Sequence, residues 1–351
     1  MKKIFTSIIK YFIERVKRNK FVQNLFEAPF ELNKFNKMGD FKDSSGNTFE
    51  LLAGLRTKIK PGWQNMLKTK KADITKDYLA AQKSNGLIAI NKIIPILNSL
   101  GKSFKDSTVL EIGCHSGATS YAIAERKASE VIGSEFSGYK IQSVKTGNEG
   151  EQDRLMEVND NLKRIRTELA SYFKHADKVK FIDDDICNSN LPQNSFDIIC
   201  SWDVLEHLHD PGQAFHAIYK LLKQDGITIH EYNPFFSLNG GHSLCTLDFL
   251  WGHIRLSDSD FSKYLDDVRP QEKEKALSFY RSGLNRMTLY DVKQHLHQSG
   301  LETISIIPFT KEQHLKMVDK EILDQSTNHY PDVTLLDLSS PRVIVIARKS
   351  N

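Results

Sequence analysis

The residues of this chain best placed to do chemistry begin at Val109-Leu110-Glu111-Ile112-Gly113-Cys114-His115-Ser116-Gly117. An apolar run meets a glycine-bearing turn, and glycines between a strand and a helix allow a tight bend and close approach of a ligand to backbone. Glu135 follows after about the 20-residue interval at which a carboxylate accepts hydrogen bonds from a ribose diol. Asp183-Asp184-Asp185-Ile186 then follows a further apolar run, where a carboxylate can meet an adenine amino group.

The type of glycine turn decides which ligand is expected. A dinucleotide fingerprint reads GxGxxG, whereas this chain has Gly113-x-x-x-Gly117 with Glu111 two residues upstream. A diphosphate calls for bare backbone N–H groups at a helix start and no negative charge close by. S-adenosylmethionine (SAM) carries two cations, an α-amino group and a sulfonium, so an acid at the turn suits it. SAM is therefore the expected cofactor and a nicotinamide is not.

On these residues the chain resembles the class I SAM-dependent methyltransferases, of the type 11/12-like kind. Glu111, Gly113 and Gly117 match that family's [DE]-x-G-x-G-x-G loop, with His115 in place of the middle glycine. The resemblance implies that Glu111, Gly113, Cys114, His115 and Gly117 form the cofactor loop and that Glu135 binds the ribose. It implies likewise that Asp185 and Ile186 bind the adenine. Leu191-Pro192-Gln193-Asn194-Ser195-Phe196-Asp197, continuing to Val204-Leu205-Glu206-His207, is similar to the family's LPxxSFDxxxxxxVLEH block, which implies that Trp202 lies against the cofactor. Leu221-Leu222-Lys223-Gln224-Asp225-Gly226 resembles the LLKPGG turn.

The elements that must position these residues can be read from periodicity. Seven strands are expected, at Thr108–Ile112, Glu130–Glu135, Val179–Ile182, Phe196–Cys200, Ile227–His230, Thr303–Ile307 and Arg342–Ala347. The first five alternate with helices, which predicts an α/β, Rossmann-like, seven-stranded and mostly parallel sheet with helices on both faces. Helical stripes cover 76–100 and 151–173, with Pro95 a candidate kink in the first. The domain reading is an N-terminal helical extension over 1–75, a SAM-binding core over 76–232, an acceptor-binding lid over 233–287 and the rest of the core over 288–351.

The lid holds eight aromatics in its 55 residues, with Arg255, Arg269, Arg281 and Arg286. Asn233-Pro234-Phe235-Phe236 and Trp251-Gly252-His253 could stack on an acceptor or pack the lid onto the sheet. Methyl transfer to a hydroxyl needs its proton removed, and histidine does this near neutral pH. His242, in the flexible Asn239-Gly240-Gly241-His242-Ser243 turn, and His207 are the catalytic candidates; His209, His230 and His253 are further ones. Asp203-x-x-Glu206-His207 is similar to a block that can hold Mg²⁺ in ubiquinone-pathway and small-RNA O-methyltransferases, with Asp where those have Glu. No metal is assigned on that basis.

Composition narrows the partners. A net charge of +4 over 351 residues is not the concentrated basic face that nucleic acid calls for. Four cysteines without a CxxC pair read as buried thiols in a reducing cytoplasm. Residues 2–20 carry seven Lys or Arg and an apolar stripe of Ile4, Phe5, Ile8, Ile9, Phe12 and Val16, fit for docking on the protein or for peripheral membrane contact. The expected activity is methyl transfer from SAM to an oxygen of a small molecule, glycan or lipid-linked precursor. An RNA methyltransferase and a non-catalytic SAM-binding or membrane-associated scaffold are the alternatives.

Overall fold

A computed structural model describes residues 30–67, 74–138 and 151–350, without the side chains of 151–157. The stripe at residues 2–20 lies outside the described residues. The chain divides into two compact units, 1–36 and 37–351. In the first, the described part is one 3₁₀ turn, Leu32–Lys34, with Phe30 against Phe35.

The second unit is built on a seven-stranded sheet. Its strands are β3 (Thr108–Ile112), β4 (Glu130–Glu135), β5 (Val179–Asp183), β6 (Phe196–Trp202), β7 (Leu222–Tyr232), β8 (Glu302–Phe309) and β9 (Arg342–Arg348), in the order β5-β4-β3-β6-β7-β9-β8. β5, β4, β3, β6 and β7 pair in parallel, and β9 runs antiparallel to both its neighbours. All seven expected strands are present. They were legible because a parallel sheet covered on both faces needs apolar residues in succession: Val109 and Leu110 are fully buried on opposite faces of β3. The LLKPGG-like turn is absorbed into β7, where a register shift lets Gln224 and Asp225 bulge to solvent.

The order of connections reverses beside β3, with β4 and β5 on one side and β6 and β7 on the other. Such a switch point leaves a crevice at the carboxyl ends of the strands, and ligands bind there. The helix Lys76–Ser99 braces this region. Thr75 caps its start, it runs through Pro95 unbroken, and it buries Leu79, Ile90, Ile93 and Leu97. Gly86 lets it approach the turn after β3: a Cβ there would stand 2.4 Å from the Ala118 carbonyl oxygen.

The N-terminal extension is not helical throughout, as expected from sequence. From residue 37 its described part is an antiparallel hairpin, β1 (Lys37–Lys42) and β2 (Thr48–Leu52), turning through Asp43–Asn47, then a short helix, Leu55–Ile59. Phe41 and Phe49 are buried from this hairpin, and they bury because the segment 233–287 supplies partners. Phe49 stacks on Phe249 at 4.6 Å and Phe41 meets Tyr264 edge-on at 5.3 Å. Ser44 donates to both oxygens of Asp260, and Arg56 makes a bidentate pair with Glu272 at 3.0 and 2.7 Å.

Segment 233–287 folds as short helices, Gly252–Arg255, Asp258–Val268 and Lys273–Ser282 among them. Phe235, Phe236 and Trp251 are each 1% exposed, so these aromatics pack the segment and do not offer stacking faces. Its arginines are engaged within the protein: Arg255 is buried and donates to Gln325, Arg286 donates to backbone carbonyls while lying over Phe235, and the exposed Arg281 pairs with Asp258 on the surface.

Candidate active site

A cleft of about 360 Å³ opens at the switch point, within the size range of small-molecule sites. Its wall includes Gly113 and His115 from the turn after β3, Glu135 and Phe136 after β4, and Asp184, Asp185 and Ile186 after β5. Trp202, Asp203, Val204, His207, Leu208 and His209 come from the end of β6 and the loop beyond.

The turn after β3 works through backbone angles. Gly113, His115 and Gly117 have φ of 69°, 42° and 76°, so alternate residues occupy the left-handed region. A Cβ on Gly113 would stand 2.4 Å from Val204 Cγ2, so this glycine keeps the cleft floor open. His115 adopts its angle at a cost that glycine does not bear, about 1–2 kcal/mol. Restoring glycine (His115→Gly) removes that strain but loosens the unfolded chain, worth roughly 0.5–1 kcal/mol. Denaturant unfolding should show His115→Gly equal to or up to about 1.5 kcal/mol above the wild type. A clear loss would mean that the imidazole contributes stabilising contacts exceeding the strain.

Glu135 ends β4 with its carboxylate accepting from the His115 backbone N–H at 2.8 Å, which aims it across the turn. Asp185 is held twice. It caps the Ile186–Asn188 turn through Cys187 N at 3.0 Å, and its other oxygen lies 3.0 Å from His209 Nε2. Glu111, Cys114 and Gly117 stand behind the wall. Glu111 is 3% exposed and accepts from the Ser120 hydroxyl, and burial pushes its carboxyl up to about 8. Arg166 donates to the His115 carbonyl at 2.8 Å and reaches Cys114 Sγ at 3.4 Å, pinning the loop from outside. Glu111 thus shapes the turn from beneath and does not face the cleft.

Two groups here are unspent. Asp184 Oδ2 and Trp202 Nε1 are buried without a hydrogen-bond partner among the described residues, one an acceptor and the other a donor. With Glu135 and Asp185 they fit a ligand that carries cationic, hydroxyl and amino groups. Ile112, Phe136, Ile186 and Leu208 supply apolar walls for a flat base. Sequence reading placed Asp184 in the acidic run but assigned the role to Asp185, and it missed Phe136, the neighbour of Glu135.

The far end of the cleft holds the histidines. His207 lines it, and its Nδ1 lies 2.6 Å from the Gly283 carbonyl. A carbonyl only accepts, so Nδ1 carries the proton and Nε2 the lone pair. The His242 ring lies 5.0 Å from that of His207, centre to centre, and His242 Nε2 is 3.9 Å from Glu206 Oε1. His242 stands behind His207 and not on the cleft wall. Glu206 is fully buried: Oε1 accepts from Asn233 N at 3.1 Å while Oε2 has no partner. Burial and then the Asp203 charge push its carboxyl up to about 8. Burial lowers the pKa of His207, and that of His242 strongly, so both rings are neutral at pH 7.

Non-glycine residues in the left-handed region include His115 (42°), Asp203 (54°) and His242 (51°), all at this site. Such strain persists where the surroundings over-determine it, often at functional positions. The remaining histidine candidates are placed elsewhere. His230 is sealed in the sheet between Ser201 and Thr228, and His253 is buried against the Phe235 carbonyl. His209 lies at the Asp185 end.

Two clusters among the described residues bring three potential metal donors within 4.8 Å of one another: Glu206, His207 and His242, and Asp185, Cys187 and His209. Asp203 belongs to neither, because Arg342 of β9 donates to its carboxylate.

Residues 87–306, more than half of the chain, match the sequence profile of a methyltransferase domain. Solved structures similar to this chain include an S-adenosylmethionine-dependent methyltransferase from Mesorhizobium loti, at 15% identity over 73% of this chain and 97% of that one, TM-score 0.41. Another is phosphoethanolamine N-methyltransferase 2 of Haemonchus contortus in complex with S-adenosyl-L-methionine, at 19% identity over 74% of this chain and 53% of that one, TM-score 0.42. A search of curated protein sequences finds no match. The chain belongs to the methyltransferase-domain family and is a class I SAM-dependent methyltransferase, with SAM as its cofactor.

Proposed function

We propose that this enzyme methylates an oxygen of a small molecule, glycan or lipid-linked precursor, with His207 as the general base. The observation that carries this is the neutral, tautomerically fixed His207 on the cleft wall, backed by His242 and Glu206. Bound SAM supplies an electrophilic methyl group on a sulfonium. The cleft's task is to align an acceptor hydroxyl with that methyl, and alignment supplies much of the rate. As the new oxygen–carbon bond forms and the carbon–sulfur bond breaks, the hydroxyl proton passes to His207 Nε2. The Gly283 carbonyl, accepting from Nδ1, and the charge of Asp203 stabilise the resulting imidazolium.

In this reading Glu135 holds the ribose hydroxyls, and Asp185 and Ile186 the adenine. Trp202 packs along the cofactor, and segment 233–287 covers the acceptor, contributing His242 and the Gly283 carbonyl. The test is transfer of labelled methyl groups into candidate acceptors with identification of the methylated atom. An O-methyl product supports the reading, and label found only on nitrogen, carbon or sulfur overturns it.

A second reading is favoured by the orphaned Glu206 Oε2 and His242 Nε2 beside His207. Two imidazoles and one carboxylate could hold a divalent cation, which would polarise the acceptor oxygen directly. Chelation separates the two. General-base catalysis by His207 predicts an unchanged rate after EDTA treatment and gel filtration. A loss reversed by Mn²⁺, Co²⁺ or Zn²⁺ would give the same residues a metal-binding role.

A further inference from the structure

At the Asp185 end of the cleft, Asp185, Cys187 and His209 each bring one ligand atom within 4.8 Å of the others. The three meet because two short elements are pinned to each other. Asp185 follows β5 and caps the Ile186–Asn188 turn, one of its oxygens accepting from Cys187 N at 3.0 Å. Its other oxygen is left to His209, whose Nε2 lies 3.0 Å away. His209 comes from the loop after β6, immediately before Asp210, which caps the helix Pro211–Leu221. The Cys187 thiol donates to the Asp210 carbonyl at 3.3 Å, and the Ile186–Asn188 turn packs on that helix. A capping residue on each element thus holds a thiol, an imidazole and a carboxylate in one place.

One sulfur, one nitrogen and one oxygen donor suit a borderline-soft cation, Zn²⁺ above all, and not the all-oxygen preference of Mg²⁺ or Ca²⁺. With bonds of about 2.0–2.3 Å, ligand atoms around tetrahedral zinc stand roughly 3.3–3.8 Å apart, so the observed spacing needs only side-chain adjustment. Three protein ligands leave the fourth position to water. Solvent reaches the group: His209 is exposed and Asp185 and Cys187 are half-buried, whereas Cys114, Cys200 and Cys245 are buried. Asp185 and His209 also line the cleft, so an ion held here stands on the wall that faces the cofactor. The cluster of Glu206, His207 and His242 contains no thiol, which makes the two distinguishable by spectroscopy.

We propose that Asp185, Cys187 and His209 form a zinc site, and that zinc and the cofactor exclude each other. As zinc binds, the Cys187 thiol gives its proton to solvent. The proton on His209 Nε2 moves to Nδ1, or to solvent where both nitrogens carry one. The metal then draws on the same Asp185 carboxylate that the adenine amino group uses, and it sets a cation facing that amino group. The exclusion rests on the assignment of Asp185 to the adenine, whereas the metal site rests on the three donors alone. Zinc-loaded protein is therefore closed to SAM, which makes this end of the cleft a point of inhibition by a thiophilic metal.

The test uses the full-length protein with Co²⁺ as a coloured probe, because a thiolate ligand gives cobalt an intense near-ultraviolet charge-transfer band. Wild type is compared with Cys187→Ser, with Cys187→Ala in case the serine hydroxyl still ligates, and with Asp185→Asn. The band is expected in wild type, lost on adding zinc, and absent from both Cys187 variants. Calorimetric titration with S-adenosylhomocysteine should show affinity at least tenfold weaker in zinc-loaded wild type, and no such loss in the Cys187 variants at the same zinc concentration. No band in wild type, or an undiminished band in the Cys187 variants, overturns the site. Unchanged S-adenosylhomocysteine affinity with zinc bound overturns the exclusion, provided that Asp185→Asn binds S-adenosylhomocysteine more weakly than wild type. Where Asp185→Asn binds it equally well, the adenine assignment fails instead, and the cobalt band alone decides the metal site.

Discussion

Replacing His207 by asparagine is expected to slow methyl transfer by about 10²–10⁴-fold, the usual contribution of a positioned proton acceptor, with SAM affinity changed by no more than a few-fold. Asparagine keeps an N–H for the Gly283 carbonyl, so the loop stays tethered, but its amide does not take up a proton. The pH profile should change with it. Burial lowers the His207 pKa, so the neutral, proton-accepting form is lost only on acidification below the ordinary histidine range. Wild-type kcat/KM should therefore rise with pH through that lowered value and level off before neutrality. In His207→Asn this acid limb should disappear. A variant with unchanged kcat, or one that keeps the limb, removes His207 from proton transfer and leaves it a loop anchor.

Glu135→Ala should weaken SAM by on the order of a hundredfold, corresponding to two charge-assisted hydrogen bonds of about 1.5 kcal/mol each. The structure adds a reason for the loss to exceed that of ribose contacts alone. The same carboxylate accepts from His115 N–H at 2.8 Å, so its removal also releases a strained loop whose preceding left-handed residue, Gly113, forms the cleft floor. Calorimetric titration measures both parts. Glu135→Gln, which can still reach the backbone N–H with its amide oxygen, should retain more affinity than the alanine variant. Equal losses would mean that loop support is a small part of the effect.

Much of the fold could be read from residues because the sheet is parallel. Strands such as Thr108–Ile112 and Glu130–Glu135 sit between helices and read as bounded apolar runs, and their ends coincide with those in the structure. The hairpin at 37–52 could not be read so. Gly39-Asp40 carries a turn signal inside β1, yet Gly39 pairs with Leu51 across a bulge. What decides its structure is packing on Phe249 and Tyr264, some 200 residues away in sequence. The helices Glu312–Met317, Lys320–His329 and Leu335–Ser339 between the last two strands were also missed, being short and held by tertiary contacts.

The site divides in the same way. Gly113, His115, Glu135, Asp185, Ile186 and Trp202 converge on one cleft because each follows a strand of the sheet at its carboxyl end. Glu111, expected to belong to the cofactor loop, lies on β3 beneath the turn, buried against Ser120 of the following helix. His242 was read as a flexible turn residue reaching the methyl group. It is instead enclosed, one step behind His207, by the segment 233–287 and the N-terminal helix.

The most direct measurement is a calorimetric titration of the full-length protein with SAM and, in parallel, with NAD. Stoichiometric SAM binding in the micromolar range with no heat from NAD is the predicted result. It would tie the Glu135–Asp185 cleft to a sulfonium cofactor and justify screening acceptors with labelled methyl groups. A folded protein that binds NAD, or that leaves SAM unbound, would contradict the account at its centre.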